Sequence, residues 1–193
     1  MKPITEIRNR IRAARRALGS QVREINSSKI CQRFSELNSF KSAQHVAAYL
    51  AFDGEADPME LMSSAVEQGK HVYLPIIVGK SQPLAFAPWG PSAKMMKNRF
   101  DILEPEVEKS QWIAAEELDF VVCPLVAFDE QGNRIGVGGG YYDRTFAFLN
   151  EPDHNKRVQL VGFAFELQKL DSVEPQSWDV QLDAIVTESN IYR

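Results

Sequence analysis

A chain of 193 residues with 44% hydrophobic and 25% charged residues has the length and apolar content to bury a full core, and it reads as one globular domain. The formal net charge of −4 argues against a dedicated nucleic-acid binder, which carries a basic face, so any anion site must be local. Cys31 and Cys123 form no CxxC or zinc spacing, His45, His71 and His154 are scattered, and no apolar run approaches the ~18–20 residues of a membrane span or a secretory core, so we expect a cytoplasmic, reduced chain that avoids the membrane and holds no thiolate or imidazole metal.

In chain order, Ile4, Ile7, Ile11, Ala14 and Leu18 recur at intervals of three and four and predict an amphipathic helix over 4–18, with Arg8, Arg12 and Arg15 on its polar face. A second helix is predicted over 22–37, with Val22, Ile25, Cys31, Phe34 and Leu37 inward. The short apolar runs HVAAYLAF (45–52) and HVYLPII (71–77) read as strands. Between them DPMELMSSAVEQGK reads as a helix, with Asp57 as N-cap, Pro58 at the first helical position and Gly69 at the C-terminal side. Further strands are predicted at 84–89, 119–128, 158–165 and 183–188, and a helix at 141–150. Near-continuous apolar strands interleaved with helices predict a three-layer α/β/α sandwich around a mostly parallel central sheet.

The stretch NRIGVGGGYYDR then falls where ligands sit in such sheets, on a connection from a strand into a helix. Gly138, Gly139 and Gly140 have no side chains, so their amides can approach a phosphate closely, and a helix start adds to the cradle. Two standard phosphate fingerprints fail: GxGxxG meets Tyr141 at its last position, and GKS at 79–81 would need a glycine where Leu74 stands.

PLVAFDEQGNRIGVGGGYYDR resembles the signature of the 5-formyltetrahydrofolate cyclo-ligase family, and the resemblance extends through RRALG, YLAFDGEAD, GKHVYLPII, FDILEP and DVQLDAIVTE in the family's order. It implies an enzyme that uses ATP and magnesium to close 5-formyltetrahydrofolate into 5,10-methenyltetrahydrofolate, acting as a monomer on two small molecules. By that resemblance Arg8, Arg134, Ile135, Gly136, Val137, Gly138, Gly139, Gly140, Tyr141 and Tyr142 bind ATP. Arg134 and Tyr142 take the catalytic roles, while Leu50, Glu55, Gly138, Gly139, Gly140 and Tyr141 contact the folate. Asp143 and Asp179 form the metal pair, with Asp183 as a competitor in the same acidic stretch.

The chain departs from the family pattern at Ile4, where a lysine is expected and only Lys2 is near, at Leu125, where many relatives carry glycine, and at Val137. The first departure leaves Arg8, Arg12 and Arg15 as candidates to share the nucleotide contact; the other two read as changes to wall shape. Phe86, Trp89, Trp112 and Trp178 read as core rather than pocket. The rival readings are a non-catalytic folate or nucleotide store on the same fold, or an isomerase or acyl transferase, for which no dedicated base or acyl-accepting motif is present.

Overall fold

The computed structural model describes residues 3–98, 101–151 and 158–193; Lys2, Phe100 and His154 lie outside them. Two helices open the chain, α1 (Ile4–Ala17) and α2 (Ser20–Glu36), followed by the short α3 (Asn38–Ser42). Then come β1 (His45–Ala47), α4 (Met59–Glu67), β2 (His71–Ile76), β3 (Ala85–Trp89) and a hairpin of β4 (Met95–Lys97) with β5 (Leu103–Pro105). β6 (Phe120–Cys123) leads into a second hairpin, β7 (Ala127–Phe128) with β8 (Arg134–Ile135). The chain closes with α5 (Tyr141–Thr145), β9 (Gln159–Phe163), β10 (Ala184–Val186) and β11 (Ile191–Tyr192).

The central sheet has seven strands in the order β11-β10-β9-β6-β1-β2-β3. Its four inner pairings are parallel and only the edge strands β3 and β11 run antiparallel, as the apolar runs predict. Alternate residues of each inner strand serve opposite cores. Val46, Val72, Phe120, Val122, Val161 and Val186 face α2, α3 and α4, while Ala47, Tyr73, Val121, Cys123, Leu160 and Ile185 face α5 and its flanking turns. Burial on both faces is why these strands lack a polar side. The outer layers are unequal, because α5 has five residues and the rest of its face is covered by turns and 3-10 segments such as Ala115–Glu117 and Ala147–Asn150.

Several expected boundaries shift for identifiable reasons. The 119–128 strand breaks at Pro124, which has no N–H for a ladder, so Ala127 and Phe128 pair with β8 instead of continuing the sheet. β1 keeps only His45–Ala47 of the expected 45–52, since the chain leaves the sheet there to build a turn. The 141–150 helix is interrupted after Thr145. On α2, Cys31, Phe34 and Leu37 are inward as expected, but Val22 and Ile25 are exposed, because the helix turns Ser27 and Ile30 to the core instead. Asp57 Oδ1 accepts the Met59 N–H at 3.0 Å, the bond expected of an N-cap with Pro58 at the first helical position, although the regular helix begins only at Met59.

Other expectations about isolated residues also change. His45 and His71 stand side by side on β1 and β2 with their rings stacked, centroids 5.0 Å apart, and His45 Nδ1 lies 2.9 Å from the Tyr73 hydroxyl. Leu125 is fully enclosed rather than a pocket wall: its side chain occupies the space a Cβ on Gly162 would need, at 2.8 Å. Phe86 is core as expected, Trp89 and Trp112 are half-buried, and Trp178 is exposed. Both cysteines are free and buried, and burial pushes each thiol up to about 12, so neither is a ready nucleophile.

Candidate active site

α1 lies against the β7–β8 hairpin through Ile11, Val126, Ala127, Ile135 and Val173, which brings its arginine face over the loops that leave β1 and β6. Those loops follow neighbouring strands of the sheet, so residues 48–55 and 124–126 emerge side by side at its carboxyl edge. The hairpin then delivers the glycine loop. Its own turn is rigid: the buried Asp129 carboxylate accepts N–H groups of Gln131, Asn133 and Val173 at 2.8–3.1 Å.

In the glycine loop, Gly138 adopts φ +112° and Gly140 φ +62°, conformations that a side chain disfavours. Gly140 is the cap residue of α5. The short α5 adds little dipole, so the donors on offer at the loop are its own amides and nearby guanidinium groups. Arg8 supplies one of these: its Nε donates to Gly136 O at 2.8 Å, and its guanidinium lies 3.4 Å from where a Cβ on Gly138 would stand. Arg144, which the sequence reading did not single out, supplies another; its Nη2 donates to Gly139 O at 2.6 Å and its guanidinium lies over the Tyr141 ring. The signal was available, since Arg144 is in the loop-helix motif one turn past Gly140. Val137 is 64% exposed at the tip.

Behind the loop, Arg134 Nη2 donates to Asp143 Oδ1 at 2.6 Å, and Arg134 Nη1 donates to Val180 O. The Val180 N–H reaches the same Asp143 oxygen at 3.3 Å, so the 179–180 step is docked against Asp143. Asp179 Oδ2 accepts the Gln176 N–H at 2.8 Å. Asp183, the competitor, accepts the Leu160 N–H at 2.8 Å and so joins β10 to β9. Among the described residues no three His, Cys, Asp or Glu side chains form a cage. Two hard carboxylates, each bonded through one oxygen, fit a cation that keeps waters and takes phosphate oxygens, as magnesium does.

Across from the loop, residues 53–55 form an acidic turn with Asp53 at φ +54° and Gly54 at φ +72°. Asp53 is held by three arginines of α1: Arg12 Nε at 2.7 Å, Arg16 Nε, and Arg15 through Nη2 at 3.9 Å. The Arg16 bond, ahead of the Arg12 bond, holds the Asp53 carboxyl below the usual carboxylate range. A depressed folded-state value stabilises the fold above the unfolded value, about 3.9, and the contribution vanishes as pH falls through the folded value. Asp53→Asn is therefore expected to cost about 1 kcal/mol near pH 7, after allowance for the solvent-screened Arg12 and Arg16. Urea titrations from pH 7 to pH 3 check it, because the gap between the two proteins should close as the pH drops.

Glu55 Oε1 lies 3.7 Å from Arg15 Nη2, and Glu55 Oε2 accepts the Phe52 N–H at 3.2 Å. Burial raises the Glu55 carboxyl above its ordinary value and the Arg15 charge opposes that shift. Tyr142 sits within electrostatic reach of Glu55, Cys123 and Arg134; burial, reinforced by Cys123 and Glu55, pushes its hydroxyl well above 10, so it remains a proton donor. Leu50 is half-buried between Tyr49 and the turn. Glu55 also lines a cleft of about 580 Å³ bounded by the starts of α2 and α4 and by Phe52, which is 75% exposed. Arg15, placed on the polar face of α1 and a candidate to share the nucleotide contact, is 1% exposed and turned to the 53–55 turn, and Ala14 of the expected apolar stripe is exposed.

A parallel sheet covered on both faces, with a glycine loop and an acidic turn both contacted by the arginines of α1 at its carboxyl edge, defines an α/β enzyme whose site lies at strand ends. The chain belongs to the 5-formyltetrahydrofolate cyclo-ligase family, whose model matches residues 2–188. It is 36% identical over 183 residues to the 5-formyltetrahydrofolate cyclo-ligase of Escherichia coli K12, covering 94% of this chain and 98% of that one. The Haemophilus influenzae protein of the same name is 35% identical, with 92% and 93% covered. Among solved structures, the 5,10-methenyltetrahydrofolate synthetase of Aquifex aeolicus superposes with a TM-score of 0.80 at 30% identity, covering 98% of this chain and 92% of that one.

Proposed function

We propose that this chain uses ATP and magnesium to convert 5-formyltetrahydrofolate into 5,10-methenyltetrahydrofolate, releasing ADP and phosphate. The observation that carries the reading is that one helix, α1, meets the glycine loop through Arg8 and the half-buried Glu55 turn through Arg15. The formyl oxygen is a poor leaving group at neutral pH. Its attack on the γ-phosphorus of ATP forms an O–P bond as the bond to ADP breaks. Nitrogen 10 then attacks the activated carbon, phosphate departs with the former formyl oxygen, and nitrogen 10 loses its proton.

The residues divide that work. Loop amides from Gly136 to Gly140, with Arg8, Ile135, Val137 and Tyr141 around them, bind the triphosphate and stabilise charge as it shifts. Arg134 keeps Asp143 in place and lends positive charge behind the loop, while the protonated Tyr142 hydroxyl donates toward the reacting end. Glu55 accepts the donor edge of the pterin, with Leu50 as an apolar neighbour and Tyr141 at the junction of the two substrates. Asp143 and Asp179 hold magnesium, which supplies Lewis-acid neutralisation of the phosphates when bound.

Incubation with 5-formyltetrahydrofolate, ATP and magnesium, recording the absorbance rise of the methenyl product, tests the proposal. Binding of both compounds without product or ADP would instead support the non-catalytic store. Glu55→Gln is expected to weaken folate binding by about 100-fold, or about 2.7 kcal/mol, with ATP affinity largely kept. Equal losses for both ligands would remove Glu55 from the folate side.

The same substitution reads on stability. A carboxyl raised by burial favours folding while protonated and loses that benefit as pH rises through its folded-state value. Glu55→Gln should therefore match the parent protein in acid and exceed it in melting temperature at pH 8.

A further inference from the structure

Arg15 is the only arginine among the fully buried side chains of the described residues. Its guanidinium touches two separate pieces of chain. Nη1 donates to Leu125 O at 3.3 Å, at the root of the hairpin that carries the glycine loop; Nη2 donates to Asp53 O at 3.1 Å and lies 3.7 Å from Glu55 Oε1. Gln168 Nε2 shares the Leu125 carbonyl at 2.8 Å. Yet Arg15 Nε is buried without a hydrogen-bond partner. An ion buried with one donor unsatisfied is a poor device for stability, since an apolar side chain of similar volume usually does as well. Its placement makes sense if the charge itself is needed.

We infer that Arg15 is a positioning residue for Glu55, its buried guanidinium tying the 53–55 turn to the Leu125 carbonyl and holding the Glu55 carboxylate in place as an anion facing the folate. This rests on the reading of Glu55 as the folate-side carboxylate. The other groups around Glu55 do not do this work. Asp53 on its own turn opposes an anion, the Phe52 N–H bonded to Glu55 Oε2 at 3.2 Å ties the carboxylate only to its own turn, and Arg12 is a weaker influence engaged with Asp53. Arg23 and Glu24 of α2, with Asp57 and Glu60 by α4, line the same open cleft as a mixed set. Arg15 is the largest influence opposing the rise that burial imposes on the Glu55 carboxyl.

The test compares Arg15→Met, Arg15→Lys, Glu55→Gln and the Arg15→Met/Glu55→Gln pair in the full chain. Equilibrium binding of 5-formyltetrahydrofolate without ATP is measured from pH 5.5 to 8.5, and the Glu55 carboxyl is titrated by carbon NMR in the free protein. Arg15→Met should weaken folate binding at pH 7 by about tenfold or more, or about 1.4 kcal/mol. It should also move both the acid limb of binding and the Glu55 titration to higher pH. Arg15→Lys keeps a charge but loses the fork, so its limb should move less. In the Glu55→Gln background Arg15→Met should add less than about twofold, because there is no carboxylate left to hold.

Multiplying losses in the pair, or an unmoved Glu55 titration, would overturn the inference and leave Arg15 a general structural residue. If Arg15→Met does not fold, the same comparison made with Arg15→Lys decides. Parent protein that binds no folate would defeat the reading of Glu55 as a folate contact, whereas the NMR titration still judges what Arg15 does to Glu55.

Discussion

Asp143→Asn is expected to lower kcat by about 10³-fold, or about 4 kcal/mol of transition-state stabilisation, while the protein stays folded. The substitution is nearly isosteric and keeps an oxygen for the Val180 N–H and the Arg134 fork, which now meet at Asp143 Oδ1 at 3.3 and 2.6 Å. What it removes is the negative charge. That charge has two proposed uses, to offset the buried Arg134 and to hold magnesium. They separate in a magnesium titration: loss of a metal ligand raises the magnesium concentration needed for half-maximal rate, whereas loss of the Arg134 pairing lowers stability by about 1–3 kcal/mol and leaves the magnesium dependence alone. An unchanged kcat would reduce Asp143 to a latch between α5 and the Val180 segment.

Gly138→Val is the second large effect. At φ +112° a β-branched residue meets steric strain of about 1–3 kcal/mol, and its Cβ would sit 3.4 Å from the Arg8 guanidinium. Relief requires the loop to reshape or Arg8 to leave, and either outcome dismantles the cradle. We expect ATP affinity to fall by about 100-fold, with folate binding in the absence of ATP much less affected. Gly136→Ala is the instructive comparison, because Gly136 has no left-handed φ and a Cβ there meets nothing within 4 Å. Isothermal titration of the two variants with ATP measures the difference. Equal losses would mean that the missing side chain, rather than the left-handed backbone at Gly138, is what the loop needs.

Much of the fold and part of the site could be read along the chain. The strands announced themselves as unbroken apolar runs because both faces of the sheet are covered. The β1-α4-β2 unit was visible in its turn and capping residues, and the glycine loop in its composition. These are local signals, set by the period of an element or the backbone freedom of one residue type. Resemblance to the family added roles for Glu55, Asp143 and Asp179 that composition and spacing do not supply.

The tertiary structure decided what happens between distant residues. Arginines at 8, 12 and 15 form one face of a helical pattern, and such a face is normally solvated. Only the docking of α1 on the β7–β8 hairpin shows that Arg8 meets the glycine loop and Arg15 is enclosed 110 residues away at Leu125. The breakage of the 119–128 run at Pro124, the choice of Asp183 as a strand anchor and the clamping of Asp143 by Arg134 likewise depend on partners far along the chain. The chain determined its elements through short-range sterics and hydrophobic period; which charges end up paired, buried or facing a crevice was settled only when those elements packed, because desolvation and Coulomb attraction act through space and take no account of sequence separation.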